Sequence, residues 1–92
     1  MKIIFKESFL NRLEKQVDYI ACDSPARARK FNKELLTRIR QIPLNPWQYR
    51  KSIYFEEIQI RDLIFKGYTI VFRITNTAIE VFGFVKFQNK PV

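Results

Sequence analysis

The sequence contains no histidine, and this absence excludes several kinds of active site at once. Serine and cysteine hydrolases activated by an imidazole, and nucleases that use imidazole as acid and base, need a residue that the chain lacks. The single cysteine, Cys22, has no second thiol for an internal disulfide and no histidine with which to share a zinc ion. We therefore expect no metal and no cofactor, and we expect Cys22 to be a small core residue in a reducing cytoplasm.

The sequence also lacks a long apolar run. No stretch approaches the roughly 20 consecutive apolar residues that a membrane-spanning helix needs. At the N-terminus the charges of Lys2, Lys6 and Glu7 interrupt the apolar residues too early for a secretory signal. These patterns predict a soluble, cytoplasmic protein that has no membrane partner.

Glycine and acidic residues are both scarce. The 92 residues include two glycines, and 47% of them are hydrophobic and 15% aromatic, which is typical of a folded chain. We expect one domain, residues 1–92, around a modest core. Nine acidic residues against 17 basic ones give a formal net charge of +8. Such an imbalance favours a polyanionic partner, but charge alone does not distinguish nucleic acid, an acidic protein and an anionic membrane.

Apolar periodicity predicts the first three elements. Residues 2–6 form a short run of β-branched and aromatic residues, which predicts a strand. Apolar residues then recur at three- and four-residue steps over 8–23 and again over 24–42, and this period predicts two amphipathic helices. Ser8 and Ser24 stand at the expected N-cap positions of these helices. Such closely joined helices predict an antiparallel helix hairpin.

The second half of the chain has β-type patterning. Residues 43–57 show no clean period and predict an ordered loop. Three runs rich in β-branched and aromatic residues follow, over 58–65, 68–74 and 78–87, separated by tight turns. The predicted fold is therefore α+β, with an N-terminal strand and an antiparallel helix hairpin packed on a mostly antiparallel sheet, in the order β-α-α-β-β-β.

Alternation along the strands predicts which face each residue occupies. In the middle run, Ile70 and Phe72 should meet the helices, and Arg73 should lie on the opposite face. In the last run, strict alternation places Phe82 and Phe84 together on one side of a strand whose two faces are both largely apolar. One face must cover the core. The other face is either covered by something else or is a partner surface.

Two stretches of sequence carry a family resemblance. Residues 18–31 contain a tyrosine, a Ser-Pro pair and an Arg-Ala pattern at the helix–helix turn. Residues 60–74 contain an arginine followed by an apolar strand, a Gly-Tyr turn and a valine-aromatic-arginine strand. In this order the chain resembles toxins of the RelE/ParE superfamily of bacterial type II toxin–antitoxin modules. The resemblance implies the fold described above and an acidic antitoxin partner, whose disordered tail folds along the toxin surface.

The two branches of that superfamily imply different mechanisms. RelE-like members cut messenger RNA on the ribosome with cationic sheet residues and a C-terminal tyrosine, but the matching strand positions here are Ile60, Asp62 and Thr69. The later positions fall near Asn89 and beyond, where no tyrosine exists. ParE-like members poison DNA gyrase by binding and need no catalytic residue. The resemblance is closer to this branch, so we assign no catalytic residue and expect a binding toxin.

Three alternatives follow from the resemblance. The chain is a gyrase-binding toxin, or a ribosome-dependent ribonuclease with Arg61 and Arg73 as catalytic cations, or a non-toxic relic that keeps antitoxin binding. The expected target- or antitoxin-binding residues surround the sheet: Arg61, Lys66, Arg73, Phe82, Phe84, Lys86 and Lys90.

Overall fold

The computed structural model describes residues 1–86, and its elements confirm the predicted order. One short strand, β2 (Arg50–Lys51), adds a fifth member to the sheet, and two 3₁₀ turns, Ile42–Leu44 and Pro46–Gln48, order the predicted loop. The other elements are β1 (Lys2–Phe5), α1 (Glu7–Asp23), α2 (Pro25–Arg40), β3 (Ile60–Phe65), β4 (Tyr68–Ile74) and β5 (Ala78–Lys86).

Two details of α1 differ from the predictions. The helix begins at Glu7, so Ser8 is not its N-cap. The Ser8 hydroxyl instead donates a hydrogen bond to the carbonyl oxygen of Phe82, at 2.8 Å, and thereby ties the first turn of the helix to β5. Cys22 is exposed, so its predicted place in the core is also wrong. Cys22 lies next to the last residue of α1, Asp23, and the apolar face of the helix is buried through Phe9 and Leu13 instead.

The break between the helices agrees with the sequence prediction. Ser24 is extended, and its side chain accepts a hydrogen bond from the backbone N–H of Arg27 at 3.2 Å. Pro25 occupies the first position of α2, where its missing N–H has no partner to lose. A single residue therefore ends one helix and caps the next. Over residues 1–86, no helix is long and apolar enough to cross a membrane.

The five strands form one sheet in the order β1-β5-β4-β3-β2. Strand β1 is parallel to β5, and the other neighbours are antiparallel. The parallel pair is possible because the helices and the other strands separate β1 from β5 along the chain. The N-terminal strand thus occupies one edge of the sheet, and the two-residue strand β2 occupies the other.

The two helices cover one face of the sheet and form the main core there. Leu35, Ile39 and Phe72 are fully buried in this cluster. Phe31 links helix to sheet, since its ring centroid lies 5.3 Å from that of Tyr68. The register of apolar residues on α2 and β4 is the one that the sequence periods predict.

A β-bulge interrupts β5. Val71 of β4 pairs with Gly83, whereas its neighbour Phe72 pairs with Val81, so Phe82 is an extra residue in β5. Gly83 is required at this point, because a Cβ added there would lie 2.8 Å from the Cβ of Val71. The bulge therefore reverses the alternation of side chains in the second half of the strand.

This reversal corrects the predicted faces of β5. Phe84 is 6% exposed and lies in the helix-side core, with its ring centroid 5.9 Å from Phe9 and 5.0 Å from Tyr68. Phe82 lies on the opposite face. The prediction that Phe82 and Phe84 share a face is therefore wrong. Lys86 follows Phe84 to the helix side, where its ammonium lies 6.0 Å from the ring centroid of Tyr19.

The second face of the sheet is covered by the connection between β2 and β3, residues 52–59, which we call the strap. The ring of Phe55 in the strap packs edge-on against Phe82, with 5.5 Å between centroids. On the same face of the sheet, Thr69 and Val71 of β4 are 3% and 1% exposed. Of the two alternatives for the second face, the structure therefore shows the first: the face is covered, and the chain itself covers it.

We expect Leu35→Ala to lower the free energy of unfolding by about 2–5 kcal/mol, because the fully buried side chain would leave a cavity between α2 and the sheet. Lys33→Ala, on the exposed face of the same helix, should cost under about 0.5 kcal/mol. A urea titration of both variants measures the difference. Equal losses would show that the packing face of α2 is misassigned.

Candidate binding surfaces

The structure does not bring the predicted site residues to one place. Phe84 is buried in the core, and Lys90 lies outside the described residues. The remaining five divide between the two faces of the sheet: Arg61, Lys66 and Lys86 on the helix side, Arg73 and Phe82 on the strap side.

Arg61 lies on the helix side, because it pairs with Phe72 across β3 and β4. Its Nε donates to the carbonyl oxygen of Ile58 and its Nη1 to that of Tyr49, both at 2.9 Å. Its guanidinium carbon lies 4.9 Å from the ring centroid of Trp47. These contacts stabilise the connections on both sides of β2, so most of the Arg61 donors are already used within the fold.

Arg73 follows Phe72 in β4, and successive side chains in a strand point to opposite faces, so Arg73 lies on the strap side together with its pairing partner Ile60. Its Nη1 is 2.7 Å from a carboxylate oxygen of Glu57, and its Nε is 4.0 Å from one of Glu80. Two carboxylates therefore offset its charge. Arg61 and Arg73 occupy neighbouring strands but opposite faces, so they cannot hold the same phosphate group.

The three strand positions that the resemblance matched to the cations of RelE-like ribonucleases are covered here. Ile60, Asp62 and Thr69 are 0%, 2% and 3% exposed, and all three side chains lie on the strap side. The strap closes access to the part of the sheet where such chemistry would occur. None of these three positions carries a cationic side chain.

Asp62 is a structural site that the sequence analysis did not recognise. Its side chain is fully buried, and its Oδ2 accepts hydrogen bonds from Nε and Nη2 of Arg50, at 3.3 and 3.2 Å. The same oxygen accepts from the backbone N–H of Ile53 at 3.1 Å. Within residues 1–86 its Oδ1 has no hydrogen-bond partner. The available signal was a lone carboxylate inside the apolar strand segment Ile60–Phe65.

An apolar groove lies between the strap and the outer edge of the sheet. Ile53, Tyr54 and Ile64 line it and are 67%, 44% and 46% exposed, and Arg50 stands at its rim. Strand β2 pairs only with Arg61 and Asp62, so the outer edge of β3 beyond them has no neighbouring strand among the described residues. We call this surface the strap groove.

A basic groove lies on the other side, between the tip of the helix hairpin and the ends of β4 and β5. We call it the hairpin groove. Its lining includes four cations and no carboxylate, and the structure brings together two of the predicted site residues, Lys66 and Lys86, in it. The lining residues are Gln16, Tyr19, Ile20, Arg27, Lys30, Phe31, Lys66, Tyr68 and Lys86.

The charges around the hairpin groove are only partly neutralised. Lys66 forms an ion pair with Glu34 at 2.6 Å, and this hydrogen bond lowers the pKa of the Glu34 carboxyl. Burial raises the pKa of the Tyr68 hydroxyl, which keeps it a hydrogen-bond donor well above neutral pH. Lys30 and Lys86 form no ion pair within residues 1–86.

Comparison with known proteins decides the family. The family described as ParE toxin of type II toxin-antitoxin system, parDE, matches residues 3–86. The chain belongs to this family. It is the toxin of a type II toxin–antitoxin system, and the predicted ParE-like branch is confirmed. Membership implies an antitoxin partner.

A solved structure supports the fold. The structure described as the chromosomal ParDE TA system from P. aeruginosa matches with a TM-score of 0.78 and 15% identity, over 96% of this chain and 97% of that chain. At this identity the likeness concerns the fold alone. No curated protein matches the toxin.

We expect Asp62→Ala to release the strap, because the N–H of Ile53 and the guanidinium of Arg50 would lose their shared acceptor. The loss should lower the free energy of unfolding by about 1–3 kcal/mol. Hydrogen exchange at the Ile53 amide should accelerate more than exchange within α2. The matched control is Asp23→Ala, which removes a carboxylate that is 80% exposed and should cost under about 0.5 kcal/mol. An unchanged Ile53 amide in Asp62→Ala would contradict this role.

Proposed function

We propose that the toxin acts by binding DNA gyrase, without catalysis of its own, and that a cognate acidic antitoxin neutralises it. Gyrase as the target is what the resemblance to ParE-like toxins implies. The observation that carries the binding mechanism is the placement of Arg61 and Arg73 on opposite faces of the sheet. The proposal places the toxin in the cytoplasm, where bacterial DNA is found.

The chemistry of RNA cleavage explains why this observation matters. Cleavage needs a proton acceptor near neutral pH and several cations around the phosphate in the transition state. The sequence has no histidine, and the three covered sheet positions carry no cation. The two candidate arginines do not converge, and Arg73 is paired with Glu57. These features support binding over the ribonuclease alternative.

The test is an assay of both targets with the purified toxin. It should inhibit supercoiling by gyrase or trap cleaved DNA, and programmed ribosomes given the same toxin should keep their message intact. Arg73→Ala should weaken gyrase inhibition severalfold, since Arg73 is 38% exposed on the strap side, whereas the exposed Arg40→Ala should not. Codon-phased cuts that disappear in Arg61→Ala or Arg73→Ala would contradict the proposal and favour the ribonuclease. Absence of growth arrest on induction would favour the relic.

For the antitoxin we propose the strap groove as a contact surface. Exposed apolar side chains next to cations fit an acidic chain with apolar residues, such as the tail expected of the antitoxin. The unpaired outer edge of β3 would let part of that chain add as a strand, and Arg50 would meet its carboxylates. Two of the predicted binding residues, Phe82 and Arg73, lie on the same side of the sheet as the strap groove.

We expect the double substitution Ile53→Glu and Ile64→Glu to weaken antitoxin binding at least about 30-fold, because it places charge in the apolar groove. The ligand in a calorimetric titration is the small acidic protein encoded next to the toxin gene. Leu44→Glu is the matched control, since Leu44 is 85% exposed and lies outside the groove. Equal weakening by the control would contradict the assignment. Indifference of the wild-type toxin to its neighbour would contradict the antitoxin proposal itself.

A further inference from the structure

The hairpin groove combines four cations, two of which form no ion pair within residues 1–86, with an exposed aromatic ring. Arg27 and Lys30 come from the start of α2, Lys66 from the β3–β4 turn and Lys86 from the end of β5. Three separate segments thus deliver positive charge to one depression. Lys66 and Arg27 each have one carboxylate partner, Glu34 and Asp23, and neither of these carboxylates lines the groove.

Tyr19 stands at the rim of this groove and is 71% exposed. The Lys86 ammonium lies 6.0 Å from its ring centroid. An exposed ring with a cation beside it can stack on a nucleobase while the cation meets the neighbouring phosphate. Only an unpaired base offers its flat face for such a contact.

The basic surface continues beyond the groove. A second shallow depression shares Lys30 and Lys66 with it and adds Lys33 and Arg38 along α2. A ligand following these side chains would meet six cations in succession and one carboxylate, that of Glu34. A linear polyanion fits this arrangement better than a single anion does.

From these observations we propose that the hairpin groove binds single-stranded nucleic acid, with phosphates on Lys30, Lys66 and Lys86 and one base stacked on Tyr19. The alternative ligand, an acidic peptide, would use the cations equally well but has no use for the exposed ring. The inference does not rest on gyrase as the target, and the groove lies on the opposite face of the sheet from the strap groove.

The test uses a fluorescein-labelled oligothymidylate of about 12 nucleotides and measures fluorescence anisotropy at several salt concentrations. With three phosphate contacts, the plot of log affinity against log salt should have a slope of about −2.1. Lys30→Ala with Lys86→Ala should weaken binding about tenfold and reduce the magnitude of the slope by about 1.4. Tyr19→Ala should weaken binding at least about fivefold, whereas Tyr19→Phe, which keeps the ring, should not.

The matched control is Lys2→Ala with Lys51→Ala, which removes the same charge from the two edges of the sheet. Its affinity and slope should stay within twofold of the wild-type values. All the substituted side chains are exposed, so the variants should have the same melting temperature as the wild-type toxin. Equal losses in the groove and control variants would overturn the proposal, as would equal binding of duplex DNA with no effect of Tyr19→Ala. Tighter binding of oligoglutamate, unaffected by Tyr19→Ala, would assign the groove to an acidic peptide instead.

Discussion

The buried carboxylate of Asp62 is the interaction on which the second face of the sheet depends. One oxygen joins β3 to β2 through Arg50 and to the strap through the Ile53 N–H. A carboxylate that is buried away from water is stable only when such donors surround it. Strand β3, the edge strand β2 and the strap must therefore form together. Covering Thr69 and Val71 then follows from the path that the strap takes. A strand position that the resemblance matched to a cation of RelE-like ribonucleases thus holds a carboxylate with a structural role.

The bulge in β5 is the second constraint. It explains how the chain covers the apolar side chains on both faces of this strand. With Phe82 inserted, Phe84 enters the helix-side core, and Phe82 meets Phe55 of the strap. The close approach of Gly83 to Val71 allows this change of face without a gap between β4 and β5. The same reversal brings Lys86 to the helix side. One inserted residue thus provides both a covered second face and the last cation of the hairpin groove.

The sequence predicted the helices, the break at Ser24 and Pro25, and the order of the main elements along the chain, because period and capping are local properties. It did not predict the faces of Phe82 and Phe84, since a bulge is set by the pairing partner across the sheet. Asp62 was visible as a lone carboxylate in an apolar strand, yet its partners Arg50 and Ile53 lie on another segment, and no spacing rule connects them. The basic groove was also hidden, because its cations come from three separate segments. The family resemblance supplied the toxin assignment, which composition and period alone did not.

The two grooves also constrain how neutralisation can work. The strap groove is apolar with a basic rim, and the hairpin groove is basic with aromatic walls, and the sheet and helices separate them. A partner confined to the strap groove leaves Lys30 and Lys86 facing water, so the positive charge of the hairpin groove persists in that complex. A partner that also masks this charge must pass around an edge of the sheet. Strand β1 is one edge and β2 the other, and the edge at β2 adjoins the strap groove. The shorter route therefore follows the outer edge of β3 past Ile64 to Lys66, where the two surfaces come nearest along the chain.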